Sequence, residues 1–166
     1  MIRIHRITLA ALAAGAIVTA AAAPALADGG PVSVSGTVTS ATTLSGLSGS
    51  ITFPTGSGGS TVTATGAESY SVSTNDAAGY TLTITPGSTT LTDPNSLRTI
   101  PNSDVSVAEV GANGTSGSFS GSNPLTVDHA GVPATRSYNE NWSLMIPAAQ
   151  AAGSYAEQFT YLALGN

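Results

Sequence analysis

The sequence predicts an all-β fold, and its composition and residue pattern both support this prediction. Ser, Thr, Gly and Val are abundant from residue 28 onward, and apolar residues alternate with small polar ones over most of this length. Such a period of two is typical of half-buried strands, because successive side chains in a strand point to opposite faces of the sheet. Leu, Glu, Lys and Arg are sparse at helical spacing, so long amphipathic helices are not expected.

The first strands are predicted ahead of residue 60. The valines of segment 32–38 all have the same parity. The apolar residues of segment 47–53 also have one parity, and Pro54 ends this second segment. Both segments therefore fit half-buried strands. The Gly/Ser run at 56–60 is interpreted as a hairpin loop, with a linker as the alternative.

The clearest turn signal is the segment Asn75-Asp76-Ala77-Ala78-Gly79. Asx and Gly residues accept turn dihedral angles, and alternating segments lie on both sides, at 70–74 and at 80–84. We therefore predict a β-hairpin with its turn at residues 75–79.

Five further strands are predicted, separated by turns rich in Pro, Gly, Asn and Asp. They cover 105–107, the neighbourhood of Phe119, 125–127, 138–146 and 155–164. The total is about nine short strands, and this spacing indicates an antiparallel two-sheet β-sandwich of the immunoglobulin-like kind. The one helical candidate, Ala148–Ala152, is a single turn at most.

Aromatic residues of the last two predicted strands mark the core. The predicted core residues there are Tyr138, Trp142, Leu144, Ile146, Tyr155, Phe159 and Tyr161. Glu140 and Glu157 interrupt the same faces. Because an unpaired buried charge is costly, each glutamate is predicted to lie at a strand end or rim, or to have a partner such as Arg136.

Residues 1–27 are predicted to be a secretory signal peptide. Two arginines within the first six residues precede an apolar run at 7–23, and the small-residue box Ala25-Leu26-Ala27 follows. The apolar run is shorter than the roughly 20 residues that a membrane span needs, which favours cleavage over retention as an anchor. The mature chain, 28–166, is predicted to be secreted, with no membrane span after cleavage.

The mature chain is acidic and lacks cysteine. Only Arg98 and Arg136 oppose nine carboxylates, which gives a formal net charge of about −7. A chain with no lysine and two scattered arginines has no basic patch for phosphates, so nucleic acid is excluded as a partner. Without disulfides its stability depends on packing, and its length suits one β-sandwich domain over residues 28–166.

Catalytic signatures are missing from the sequence. There is no G-x-S-x-G motif, and the single mature histidine, His129, follows Asp128, so the two side chains of an extended strand point to opposite faces. Glu140 and Glu157 are the carboxylate pair that a glycosidase would use. One histidine and no cysteine exclude zinc. We expect a protein that is not an enzyme and has no cofactor.

Calcium is the one metal with candidate ligands. Asp76, Asp93 and Asp104 each have an asparagine one or two positions away, in three loops that could converge. None has EF-hand spacing. The alternative is that these residues form side-chain to backbone bonds within their own turns.

Three stretches, 75–84, 100–107 and 144–161, together resemble the WxL-type surface domains of Gram-positive bacteria and related secreted β proteins of actinobacteria. In that family a Gly-Trp-x-Leu strand follows the first hairpin, and a Pro-Ala…Ala-Gly-x-Tyr segment leads into a closing Thr-Trp-x-Leu strand. Here Gly79-Tyr80-Thr81-Leu82 and Thr160-Tyr161-Leu162-Ala163 occupy those places, with tyrosine at both signature positions.

The resemblance implies a non-enzymatic domain held non-covalently on the cell wall, with cell-wall glycan or other envelope proteins as partners. It makes Tyr80 and Tyr161 candidates for a ligand platform. Their parity with apolar neighbours favours the alternative, that both rings are core residues. A second hypothesis is a self-assembling structural subunit, pilin-like or spore-coat-like, that uses exposed strand edges; a small secreted hydrolase is a third.

The signal peptide predicts where the protein is found. In fractionated cells, we expect the protein outside the membrane and removable from the envelope by denaturant or salt, without enzymatic cleavage of the wall. Immunoblots of cytosol, membrane, wall and culture supernatant test this. Recovery mainly from the cytosol would contradict it, whereas recovery from the supernatant would indicate a freely released protein.

Overall fold

A computed structural model describes residues 35–166, so the signal-peptide prediction for residues 1–27 lies outside the described residues. The all-β prediction is confirmed: this range contains ten strands, one 3₁₀ turn at Asn102–Asp104, and no α-helix. The strands are β1 (Thr42–Ser45), β2 (Thr61–Thr74), β3 (Tyr80–Pro86), β4 (Thr90–Thr92), β5 (Thr99–Pro101), β6 (Val105–Glu109), β7 (Gly117–Ser118), β8 (Leu125–Ala130), β9 (Ala134–Met145) and β10 (Phe159–Gly165).

The strands form three antiparallel sheets. The largest has the order β1-β2-β9-β6-β7, the second the order β10-β3-β8, and β4 and β5 form a two-stranded sheet. The long pair β2 and β9 is interrupted by a bulge between Ala64 and Glu68, where Gly66 has a φ of +57°. This bulge lets the register resume so that Glu68 is opposite Glu140.

Residues 38–166 form one compact unit, and its buried residues make a single hydrophobic cluster. Residues of both larger sheets contribute to that cluster, among them Val72, Tyr80, Leu82 and Trp142. Trp142 is 1% exposed, as its parity predicts. Nowhere in residues 35–166 does a helix have the length and hydropathy that a membrane crossing requires.

Of the two strands predicted ahead of residue 60, the one at 47–53 is wrong, and the one at 32–38 is wrong over residues 35–38, while Val32 and Val34 lie outside the described residues. Residues 35–38 lie outside any strand and Val38 is 86% exposed, while the segment 47–53 has no strand pairing in the described range. Gly46 and Gly49 have φ of +92° and +83°, which breaks the extended backbone that a strand needs. The alternating apolar residues of this segment still contact the core, since Ile51 and Phe53 pack against it from a loop.

The predicted hairpin at residues 75–79 is also wrong, although the turn itself is present. The N–H of Gly79 donates to the carbonyl of Asp76 over 3.0 Å. However, β2 pairs with β1 and β9, while β3 pairs with β8 and β10. The turn therefore carries the chain from one sheet to another.

Glycine is required at position 79 of this turn, because a residue with a side chain does not fit there. Its φ is +81°, and a Cβ there would lie 1.7 Å from the carbonyl oxygen of Ala130. We expect Gly79→Ala to lower the free energy of unfolding by more than about 3 kcal/mol, because backbone strain and a backbone clash add. Gly131→Ala is the matched control, since a Cβ at Gly131 meets nothing within 4 Å. Equal urea midpoints for the two variants would refute this assignment.

Candidate functional site

A cleft of about 380 Å³ opens between two segments that lie outside the strands. One wall is the loop between β1 and β2, with residues 47–53, and the other is the segment 155–158 that precedes β10. Trp142 of β9 and Tyr161 of β10 line the space between them. Its volume lies in the range of small-molecule sites.

Five aromatic side chains of the described residues line this cleft. They are Phe53, Trp142, Tyr155, Phe159 and Tyr161. The rings of Trp142 and Phe159 meet edge to face, with centroids 4.9 Å apart and an interplanar angle of 73°. Trp142 is buried, whereas the other four rings are half-buried. The cleft therefore offers partly exposed aromatic surface on a packed base.

Two carboxylates, Glu68 and Glu157, also line the cleft, and each holds a loop serine in the same way. Glu68 accepts the N–H of Ser48 at 2.5 Å and its hydroxyl at 2.7 Å. Glu157 accepts the N–H of Ser88 at 2.6 Å and its hydroxyl at 2.7 Å. Among the described residues that line the cleft there is no Lys, Arg or His. The cleft is therefore acidic, and its carboxylates help to fix the loops around it.

Glu140 lies behind the cleft and is fully buried. It accepts the hydroxyl of Tyr70 and the hydroxyl of Tyr161, each at 2.6 Å, and the indole N–H of Trp142 at 3.0 Å. Glu140 does not lie at a strand end or rim, and the predicted alternative holds: it has partners, although Arg136 is not among them. The donors are aromatic residues of three strands, and their hydrogen bonds satisfy the buried carboxylate.

Burial raises the pKa of the Glu140 carboxyl above its ordinary value, and the three donated hydrogen bonds oppose that rise. Burial, followed by the nearby charge of Glu140, likewise raises the pKa values of Tyr70 and Tyr161. Both phenols therefore stay protonated and can donate to the carboxylate. The Tyr161 ring is held in place by its own hydroxyl.

Tyr80, the other signature tyrosine, is fully buried and offers no face to a ligand. Its hydroxyl bonds to Tyr138 and, at 3.3 Å, to Asp128. Asp128 also receives two bonds from Arg136, at 2.8 and 2.9 Å. Of the two platform candidates, the structure therefore leaves only Tyr161 at a cavity.

The side chains weighed as alternatives for catalysis are not brought together. Asp128 is buried while His129 is exposed and contacts the Thr81 hydroxyl through Nδ1 at 2.9 Å. Of the pair Glu140 and Glu157, only Glu157 lines the cleft. Sequence reasoning missed Glu68, whose position depends on the bulge in β2; the isolated Gly66 within the strand segment is the signal that could have indicated this bulge.

The three calcium candidates occupy separate local settings. Asp76 accepts the Ser40 hydroxyl at 2.6 Å and the N–H of Ala78 at 2.9 Å. Asp93 accepts the Ser96 hydroxyl at 2.6 Å, and Asp104 ends the 3₁₀ turn. Hydrogen bonds from hydroxyls and backbone lower the pKa of both Asp76 and Asp93. In residues 35–166 no three acidic or histidine side chains are grouped to hold a metal ion.

Comparison with known proteins adds no relative: no family model and no curated protein matches the chain.

The raised pKa of Glu140 predicts a pH dependence of stability. A group whose folded-state pKa lies above its unfolded value contributes stability at low pH and loses it as pH rises through the folded pKa. We expect the stability advantage of the parent over Glu140→Gln to shrink as pH rises from 4 toward 8, because Gln carries no ionisable group. Urea unfolding of both proteins across this range measures it, with Asp104→Asn as the control. A stability advantage of the parent over Glu140→Gln that grows with pH would contradict a raised pKa for Glu140.

Proposed function

We propose that the chain is a secreted, non-enzymatic β-sandwich protein of the cell surface or cell wall, and that it binds envelope glycan non-covalently in the cleft. The observation that carries the proposal is the ring of partly exposed aromatic side chains around Tyr161. Sugars are held by stacking on aromatic faces together with a few polar contacts. The cleft offers both, since the half-buried Glu157 lies beside the rings.

Binding without cleavage is supported by the state of the cleft's carboxylates. Glu68 is 3% exposed, and its two oxygens already accept two bonds from Ser48. Glu157 is engaged by Ser88 in the same manner. A general acid or base must reach the proton that it transfers. Carboxylates that fix loops suit a rigid binding site.

The immunoglobulin-like sandwich is part of the same proposal. Support comes from two antiparallel sheets that share one buried cluster, joined by a turn that passes between them. A WxL-type relationship is supported by the places of the two signature tyrosines, Tyr80 in the core and Tyr161 at the cleft. Secretion rests on the signal-peptide pattern of residues 1–27.

Self-assembly is the second candidate function, and one strand favours it. In the described range β10 pairs with β3 alone, so its other edge has no strand partner. Leu162 and Leu164 of this strand are 53% and 63% exposed. An apolar edge strand is a template for pairing with another chain.

Variants of two cleft residues, Phe53 and Tyr161, and of Leu162, which follows Tyr161 in β10, separate the two candidates. We expect Tyr161→Ser and Phe53→Ser to reduce co-sedimentation with purified cell walls by about tenfold or more, because each removes an aromatic face from the cleft. Leu162→Ser, on the opposite face of the same strand, is expected to bind walls like the parent.

Thermal melts and size-exclusion chromatography over a concentration series complete the comparison. Tyr161→Ser also loses a bond to Glu140, so Phe53→Ser carries the argument if Tyr161→Ser melts early. Unchanged wall binding by Phe53→Ser, with a parental melt, would refute the glycan site. Concentration-dependent assembly that Leu162→Ser abolishes would favour the structural subunit.

A further inference from the structure

The charge of the cleft narrows the class of glycan that it can take. Glu68 and Glu157 both line it, and no basic side chain among the described lining residues offsets them. Glu140 lies directly behind, bonded to Trp142 and Tyr161. Because a cleft with low-dielectric walls concentrates the field of its charges, an anionic ligand is disfavoured and a cationic one is attracted.

The surroundings of Tyr161 also favour a cationic ligand. Burial raises the pKa of the Tyr161 phenol most, and the charges of Glu140, which Tyr161 contacts through its hydroxyl, and of Glu68, which lines the same cleft, raise it further. Aromatic faces attract ammonium groups through their quadrupole, and this attraction grows where water is partly excluded. Aromatic rings flanked by carboxylates are thus the arrangement that suits an organic cation.

We propose that the cleft selects saccharides that bear free ammonium groups, that is, amino sugars without N-acetyl groups. This inference rests on the proposed glycan-binding function and specifies its ligand class. In this arrangement sugar faces contact the half-buried rings, and the ammonium interacts with Glu157, the carboxylate of the cleft that is half-buried rather than buried. N-acetylation would remove the positive charge and leave the carboxylate without a cation.

The test uses the mature chain with two matched probes, a glucosamine tetramer and its fully N-acetylated counterpart. Isothermal titration calorimetry is chosen to measure the affinity for each probe directly, because Trp142, the single tryptophan, is buried at the base of the cleft. We expect the free-amine tetramer to bind about tenfold or more tightly at low salt, and the difference to shrink at high salt, where charges are screened. Glu157→Gln should bring the two probes to similar affinity, while Asp104→Asn, which removes a charge away from the lining, should keep the preference.

Equal affinity for both probes, or tighter binding of the acetylated tetramer, would overturn the inference while the glycan proposal stands. A free-amine preference that persists in Glu157→Gln would also overturn it, since the charge would then act from elsewhere. If neither tetramer binds, co-sedimentation with whole walls decides how far the failure extends. If the protein still binds walls, only the inferred ligand class is refuted. If it does not, the proposed function is refuted as well.

Discussion

Hydrogen bonds to two buried carboxylates connect the two larger sheets, and the rest of the structure depends on these bonds. Glu140 of the first sheet accepts a hydroxyl from Tyr161 of the second. Asp128 of the second sheet accepts bonds from Tyr138 and Arg136 of the first. A buried charge left unpaired would cost several kcal/mol, so every alternative packing that breaks these bonds is penalised. In a chain without cysteine, these polar contacts between sheets fix their relative placement.

The same constraint shapes the cleft. Tyr161 is both a donor to Glu140 and an aromatic surface of the cleft, and Trp142 has the same two roles. A ring whose hydroxyl or N–H is tied to a buried acceptor loses little freedom when a ligand stacks on it. The contacts between the sheets and the proposed binding surface therefore share the same two residues. The serine loops held by Glu68 and Glu157 extend that rigidity to the cleft walls.

Local pattern predicted the strands that bury an alternating face. Segments 105–107, 125–127 and 138–146 lie largely within β6, β8 and β9, because side-chain parity follows directly from strand geometry. The short strands β4 and β5 were not predicted, because an alternating pattern cannot be recognised over three residues. The turn at 75–79 was predicted from its residues, but not the sheets that it joins. Turn chemistry sets the backbone dihedral angles, whereas strand partners are chosen by distant contacts.

By itself the sequence determined an all-β chain, the burial of Trp142 and the core position of Tyr80, because these follow from composition and a period of two. Only the tertiary structure decided that Glu140 is an internal acceptor and that Glu68 lies at a cleft with Tyr161. The physical reason is that a carboxylate's surroundings are set by residues far away in sequence. Glu140 receives two of its three hydrogen bonds from positions 70 and 161, and no local pattern encodes that meeting.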